Sequence, residues 1–161
     1  MREIYLTESD FPGKFILVEG LNGSGKTTQA KKLVELLKQD GIPAVFNHEP
    51  SAGIFGQIIR QFIDQTPIDD ALLDQATKAN DACWRDKKSS VGQRRFCGVL
   101  FNVLNALAKG NDLTEWEKQT LFVANRLEDL KENIFPNLKE GIWVVQDRYD
   151  LSCFFHGMSN G

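Results

Sequence analysis

The segment that most constrains the fold is a glycine-rich stretch, residues 20–27, which fits the pattern G-x-x-x-x-G-K-[ST]. The apolar run Phe15–Val18 precedes it, and an amphipathic stretch with helical spacing follows it. Backbone N–H groups of such a loop converge on phosphates, and the N-terminus of the following helix adds positive potential. A strand, a phosphate loop and a helix in this order predict a nucleoside triphosphate site.

Two side chains of this segment have specific expected roles. Lys26 is expected to reach the β- and γ-phosphates, and the hydroxyl of Thr27 to ligate Mg²⁺. The alternative interpretation is a glycine-rich turn without a ligand, against which the strand-loop-helix context argues. The candidate ATP-binding residues are the loop and the residues that open the helix: Gly20, Leu21, Asn22, Gly23, Ser24, Gly25, Lys26, Thr27 and Thr28.

The pattern on either side of the loop predicts an α/β fold. Four apolar residues after the loop recur at i, i+3, i+4 and i+7, which is typical of a helix: Ala30, Leu33, Val34 and Leu37. Residues 42–46 and 142–145 are predicted to form two further strands. One βαβ unit implies a parallel sheet, so we expect a P-loop NTPase-type three-layer α/β/α fold with three recognisable strands.

Helices are predicted between the second and third strands. Their signals are an apolar four-residue spacing, a Thr-Pro start, an apolar run and a capping box. The predicted segments are 54–63, Thr66-Pro67 to Trp84, 96–107, and Thr114 to Phe135 with Pro136 as its stop.

A basic segment separates two of these helices. Residues 85–95 hold five basic side chains against one acidic residue, Asp86. We interpret the segment as a mobile basic loop. It is either a solvated loop without function or a basic lid that closes over the nucleotide.

Composition excludes several classes of protein. The chain has 161 residues, 42% hydrophobic content and a net charge of -3, which fits one ordinary domain without affinity for nucleic acid or an anionic membrane. Its apolar runs fall short of the roughly 18 residues of a membrane span. Cys83, Cys97 and Cys153 form no C-x-x-C pair, so we expect buried free thiols in a reducing cytosol.

Charged residues follow the predicted strands. In an open parallel sheet, ligands lie beyond the carboxyl ends of the strands, and here these ends carry the phosphate loop, His48-Glu49-Pro50 and Asp147-Arg148. Asp147 is the candidate Mg²⁺-directed carboxylate, and Arg148 could neutralise charge on a transferring phosphoryl group. The alternative is a simple strand-ending ion pair. Lys26, Asp147 and Arg148 are the candidate catalytic residues.

Four segments together resemble thymidylate kinase, and they occur in the order of that family. They are FILVEGLNGSGKTTQ at 15–29, EPSAGIFGQIIR at 49–60, LFVANR at 121–126 and DRYDLS at 147–152. The resemblance covers about residues 14–64 and 116–152. It implies a cytoplasmic kinase of nucleotide biosynthesis that transfers the γ-phosphoryl group of ATP to dTMP with Mg²⁺, giving dTDP. We also expect a homodimer.

The resemblance assigns acceptor-site roles residue by residue. Phe122 matches the residue that stacks on thymine, Arg126 the one that recognises the base edge, and Arg60 and Arg148 those that hold the acceptor phosphate. Without the resemblance, Phe122 could equally be a core residue and Arg126 a solvated helix residue. The full candidate dTMP set is Glu49, Arg60, Phe122, Asn125, Arg126, Arg148 and Ser152; the candidate metal ligands, directly or through water, are Thr27 and Asp147.

The chain departs from the family pattern in four places. Asn22 stands where the loop usually carries a carboxylate, and His48 stands where an arginine usually precedes Glu49. His156 lies in a shortened segment and is either structural or a base contact. Residues 66–112 form a helical and basic insertion without an assigned role.

Two other functions therefore stay open. One is a kinase for another deoxynucleotide or a deoxynucleoside, and the other is a nucleotide-binding fragment or regulatory subunit without catalysis. The family uses five strands in the order 2-3-1-4-5, whereas three are recognisable here. We therefore expect one kinase domain over residues 1–161 that is incomplete at its C-terminus, exposes its first strand at an edge, and is weakly stable, self-associating and of low activity.

Overall fold

The computed structural model describes residues 10–21 and 23–148. The elements in chain order are β1 Phe15–Val18, α1 Lys26–Gln39, β2 Ala44–His48, α2 Ile54–Ile63, α3 Asp70–Arg85, α4 Val91–Ala108, α5 Glu115–Asp129, a π-helical turn Leu130–Ile134, α6 Phe135–Lys139 and β3 Trp143–Asp147. These residues form two compact units, the sheet unit (10–48 and 131–148) and the helical unit (49–130). The prediction of one domain with an insertion at 66–112 stays a prediction.

The sheet unit contains a three-stranded parallel sheet in the order β1-β3-β2. Its register places Phe15 opposite Val144 and His48 opposite Asp147. The predicted α/β class with a parallel sheet is confirmed. Strand β1 forms one edge of the described sheet, as expected, and its Phe15 and Leu17 are 38% and 40% exposed.

Helix α1 packs on this sheet through the face that the sequence predicted. Its buried Ala30, Val34 and Leu37 form one cluster with Ala44 and Val145 of the strands. The four-residue spacing brings these side chains to one side of the helix, where their burial removes apolar surface from water. This packing fixes the start of α1, and with it the phosphate loop, against the sheet.

The helical unit has a core of its own, made by α2 to α5. Its most buried side chains lie on the inner faces of their helices: Ile58, Ile59, Ala76, Leu100, Val103, Leu104 and Leu121. Helix α4 was predicted as an apolar helix, and it contributes the largest part of this core. The core holds α2 and α5, which carry the candidate acceptor residues.

The predicted start of α3 is wrong. The cap is Asp69, whose carboxylate accepts a hydrogen bond from the N–H of Ala71, rather than Thr66 with Pro67 at the first helical position. The Thr66 hydroxyl and N–H both donate to the carbonyl of Gln61, so Thr66 closes α2 instead of opening α3. Short-range hydrogen bonding of threonine supports either role, and here the preceding helix takes it.

The interpretation of residues 85–95 as a loop is wrong at both ends, because only residues 86–90 lie between the two helices. Helix α3 continues to Arg85, and α4 begins at Val91 with a capping box between Ser90 and Gln93. Arg94 and Arg95 therefore lie in the first turns of α4. The capping box provides hydrogen-bond acceptors for free N–H groups at the start of α4. The helix therefore forms although basic residues lie in its first turns.

The predicted capping box of α5 is confirmed, but its predicted end is not. Thr114 and Glu117 bond reciprocally, and the hydrogen bonds from Thr114 lower the pKa of the Glu117 carboxyl. Helix α5 ends at Asp129, and Pro136 lies in the first turn of α6 rather than stopping the earlier helix. Proline fits there because the first turn needs no N–H donor.

Within the described part of the chain, no helix combines the length and the apolar content needed to cross a membrane.

Candidate functional site

The phosphate loop of the sheet unit is shaped by its glycines. Gly23 and Gly25 have φ of 77° and 82°, the left-handed region that side chains other than glycine rarely adopt. The N–H of Ser24 donates to the carbonyl of Leu21 at 3.2 Å, which closes the loop on itself. Helix α1 starts at Lys26 directly after Gly25, so its N-terminal N–H groups face the loop.

Lys26 is folded over this loop. Its side chain is 7% exposed, and its Nζ donates to the carbonyl oxygen of Leu21 at 2.5 Å. The ammonium group is therefore held at the loop by a main-chain acceptor. A phosphate oxygen arriving at the loop could replace this carbonyl as the acceptor.

Thr27 and Asp147 meet at the end of β3. The Thr27 hydroxyl donates to Oδ2 of Asp147 at 2.5 Å, and Asp147 is 4% exposed. Its other oxygen, Oδ1, is buried without a hydrogen-bond partner among the described residues. A buried carboxylate oxygen normally has a partner, so this atom suits an electropositive ligand.

This donor set fits Mg²⁺ better than a transition metal. A hydroxyl and a carboxylate are oxygen ligands, and Mg²⁺ in phosphoryl-transfer sites is usually held by one or two protein oxygens, phosphates and water. Across residues 10–21 and 23–148, no group of three or more His, Cys, Asp or Glu side chains could form a metal centre. The Thr27 hydroxyl and the Asp147 carboxylate are the groups here that could hold Mg²⁺.

Arg148 follows β3 in an unusual conformation. Its φ is 66°, and its N–H donates to the carbonyl of Val18 at 3.1 Å. Gln146 donates from Nε2 to the Arg148 carbonyl at 3.0 Å. Left-handed residues other than glycine are uncommon and concentrate at functional sites. The Asp147 carboxylate accepts a hydrogen bond from Thr27 through Oδ2. The alternative of a strand-ending ion pair stays a hypothesis.

In the helical unit, Arg126 of α5 pairs with Glu49. The Nε and Nη2 atoms of the guanidinium donate to the two carboxylate oxygens at 2.7 and 3.3 Å, and the side chains are 15% and 4% exposed. A two-point pair of this kind fixes the plane of the guanidinium. The interpretation of Arg126 as a solvated helix residue is therefore wrong.

Asn125, which precedes Arg126 in α5, binds Ser51. Ser51 lies in the same segment as Glu49, residues 49–53. The Oδ1 of Asn125 accepts from the N–H and the hydroxyl of Ser51, at 3.1 and 2.6 Å. Its Nδ2 is buried and has no hydrogen-bond partner among the described residues. Sequence reasoning missed Ser51, because its partner lies 74 positions away.

A third residue of α5, Glu128, binds the start of α2, which directly follows the segment 49–53. Its two oxygens accept from the N–H groups of Ile54 and Phe55, at 3.0 and 3.2 Å. Helix α2 has Gly53 at its cap position, which offers no side-chain acceptor. The missing cap was the signal for a partner from elsewhere in the chain, since the free N–H groups of a helix start need acceptors.

The remaining acceptor-site candidates lie on α2 and α5. The Nη2 of Arg60 donates to the carbonyl of Pro50 at 2.5 Å. Phe122 is half-buried against the core of the helical unit, one turn before Arg126. The structure thus brings Glu49, Arg60, Asn125 and Arg126 around the segment 49–53.

Four positions named in the sequence analysis cannot be placed. Asn22, Ser152, Cys153 and His156 lie outside the described residues. His48 is described, and its ring lies 5.9 Å from the ring of Phe46 in the sheet unit.

Comparison with known proteins identifies relatives. Residues 18–78 match the family model described as thymidylate kinase. The chain is 28% identical to a probable thymidylate kinase of Pyrococcus horikoshii over 92% of this chain and 54% of that protein. It is 30% identical to the thymidylate kinase of Pelotomaculum thermopropionicum, over 92% and 50%, and 31% identical to that of Desulforapulum autotrophicum, over 91% and 47%.

The chain spans about half the length of the curated relatives it matches. The family model covers the phosphate loop, segment 49–53 and Arg60, and the alignments with the relatives cover nine-tenths of the chain. The comparisons therefore confirm the resemblance to the thymidylate kinase family that the sequence motifs predicted.

Proposed function

We propose that this protein transfers the γ-phosphoryl group of ATP to dTMP, giving dTDP, with Mg²⁺ as the cofactor. The observation that carries the proposal is the Thr27–Asp147 contact beside the phosphate loop, with one buried carboxylate oxygen left for a cation. Phosphoryl transfer depends on positioning and on charge stabilisation more than on covalent chemistry. The described residues supply groups for both tasks.

The donor half of the site is assigned to the sheet unit. The loop N–H groups would hold the β- and γ-phosphates, and Lys26 would exchange the Leu21 carbonyl for a phosphate oxygen. Thr27 and Asp147 would hold Mg²⁺, which when bound supplies charge neutralisation at the phosphates. Arg148 would stabilise charge on the transferring group from the end of β3.

The acceptor half is assigned to the helical unit, with Arg148 and Ser152 added from the family pattern. The Phe122 ring offers a face for thymine, and Arg126, already oriented by Glu49, offers donors for the base edge. Arg60 would hold the monophosphate. Asn125 has an amide donor still without a partner among the described residues, which suits a carbonyl of the base.

An acceptor panel tests this assignment. The purified chain is assayed for ADP formation from ATP with dTMP, dUMP, dCMP and thymidine, with and without Mg²⁺, and for binding of a fluorescent ATP analogue. We expect dTMP to give the highest kcat/KM and turnover to require Mg²⁺.

Two results would replace the proposal by the alternatives. Preference for thymidine or another nucleotide would indicate a kinase with a different acceptor, in line with His48 and Asn22. Binding of the ATP analogue without turnover on any acceptor would indicate a nucleotide-binding fragment. A cytoplasmic location and a homodimer remain part of the proposal, supported by the family resemblance alone.

A further inference from the structure

Two cysteines meet in the helical hairpin formed by α3 and α4. The Sγ of Cys97 donates to the Sγ of Cys83 across 3.0 Å, and both are free thiols. A disulfide needs its sulfurs about 2 Å apart. The two sulfurs would have to approach each other by on the order of 1 Å to reach this separation.

The backbone at both cysteines is held by buried polar side chains. Asn80 donates from Nδ2 to the Cys97 carbonyl at 3.0 Å, and Ser89 donates from its hydroxyl to the Cys83 carbonyl at 2.8 Å. Asn80 and Ser89 are both buried. The close approach of the sulfurs is therefore built into the hairpin rather than made by two loose side chains.

The two thiols are not equivalent. Cys97 is 2% exposed, and burial, followed by the hydrogen bond with Cys83 and its charge, raises the pKa of the Cys97 thiol to about 12. Cys97 therefore stays protonated at neutral pH and is shielded from reagents. Cys83 is only half-buried and is more accessible than Cys97, so a reagent in solution can reach it first.

We propose that Cys83 and Cys97 are a redox-active pair that a small disulfide, such as oxidised glutathione, converts to an intramolecular disulfide. This inference is independent of the proposed kinase function. The Cys83 thiolate attacks one sulfur of oxidised glutathione, breaks its S–S bond and releases one glutathione thiolate. Cys97 then gives up its proton to the departing group and attacks the Cys83 sulfur, which releases the second glutathione. Two electrons pass from the cysteine pair to the glutathione disulfide.

The bond would tie α3 to α4 across 14 positions of sequence. Closing a loop of about this length restricts the unfolded chain, and we expect the oxidised protein to melt about 5–10 °C above the reduced protein. The hairpin belongs to the segment 66–112, to which the family resemblance assigns no role.

Peptide mapping tests the proposal on the full chain. Reduced protein is incubated with oxidised glutathione, blocked with iodoacetamide and digested with trypsin. Before blocking, we expect the intact mass to fall by two hydrogens. After digestion, we expect residues 79–85 to be recovered linked to residues 96–109. Cys153→Ser, the matched control, should form the same link.

Single variants separate the two steps. In Cys97→Ala the reaction should stop with glutathione attached to Cys83. In Cys83→Ser the buried Cys97 should stay a free thiol until urea unfolds the protein. The proposal is overturned if wild type keeps glutathione on Cys83, if both cysteines stay reduced, or if either is recovered linked to residues 149–161 or to a second chain.

Discussion

The candidate sites of the sheet unit and the helical unit are held in shape by different kinds of contact. In the sheet unit the phosphate loop is shaped by main-chain geometry, with glycines in left-handed conformations and a lysine on a main-chain carbonyl. In the helical unit the segment 49–55 is held by hydrogen bonds to three residues of α5, Asn125, Arg126 and Glu128. The phosphate loop itself is local in sequence, although the contact between Thr27 and Asp147 joins residues 120 positions apart. The segment 49–55 depends throughout on residues more than 70 positions away.

The two units also differ in whether the buried carboxylate of the candidate site has partners for both of its oxygens. Asp147 of the sheet unit keeps a buried carboxylate oxygen without a partner among the described residues, whereas the carboxylate of Glu49 is occupied by Arg126. An unpaired buried carboxylate oxygen is costly and favours a bound cation. A carboxylate that is paired with an arginine instead holds both side chains in a fixed geometry. The difference suggests that substitutions in the sheet unit act on the donor nucleotide, and those in the helical unit act on the acceptor.

Lys26→Ala gives the largest expected effect. It removes the charged side chain that is bonded to the loop at the Leu21 carbonyl, so turnover should fall by about 10³-fold. Affinity for the acceptor should change little, because Lys26 belongs to the sheet unit. The measurement is steady-state ADP formation with dTMP, beside titration of a fluorescent ATP analogue.

Lys32→Ala is the matched control, since Lys32 is exposed on the same helix and the net charge changes equally. We expect it to retain the activity of the parent chain. If Lys26→Ala turned over dTMP as fast as this control, the assignment of the donor half would have to be abandoned.

Gly56→Ala is expected to have the second-largest effect, and it should act on the acceptor half. A Cβ at Gly56 would collide with the main-chain carbonyl of Ser51 and approach the Asn125 amide, and a main-chain group has little room to move. Overpacking of this kind costs up to about 3 kcal/mol. We expect dTMP affinity to fall by about 10–100-fold, with ATP-analogue binding unchanged. Calorimetry of dTMP binding would measure the first effect.

Gly98→Ala provides the comparison on α4. Its Cβ would lie 3.4 Å from the Trp84 ring, an ordinary contact, and alanine favours the helix. This variant should bind dTMP like the parent. Equal loss of ATP and dTMP binding in Gly56→Ala would show that the two units are not separable in this way.

Phe122→Ala separates stacking from core packing. If Phe122 stacks on thymine, its removal should raise the acceptor KM by an amount that corresponds to about 1–3 kcal/mol. The exposed Phe101 of α4, changed to alanine, is the control for loss of a ring elsewhere in the unit. Parallel loss of ATP affinity, dTMP affinity and melting temperature in Phe122→Ala would identify a core residue instead.

The same contrast explains what could be predicted from the sequence. The phosphate loop, β1 and the apolar face of α1 were predicted because each is encoded by contiguous residues or a short period. The contacts of Ser51 and Glu128 could not be predicted, because they join segments that only the packing of α2 against α5 brings together. The starts of α3 and α4 were misplaced because Thr66 and Ser90 suit turns, loops and caps alike.

Replacement of Arg94 and Arg95 by alanine gives the smallest expected effect and tests the lid interpretation. Both residues lie in α4, Arg94 half-buried and Arg95 exposed, and a regular helix of the hairpin is a poor place for a closing loop. Surface substitutions usually change stability by no more than about 0.5 kcal/mol, so kcat/KM should stay within about twofold of the parent. Arg60→Ala, which removes one arginine from the candidate acceptor site, should lose far more. A tenfold drop in kcat/KM of the double variant, with an unchanged melting temperature, would revive the lid and give the helical unit a role toward the nucleotide phosphates.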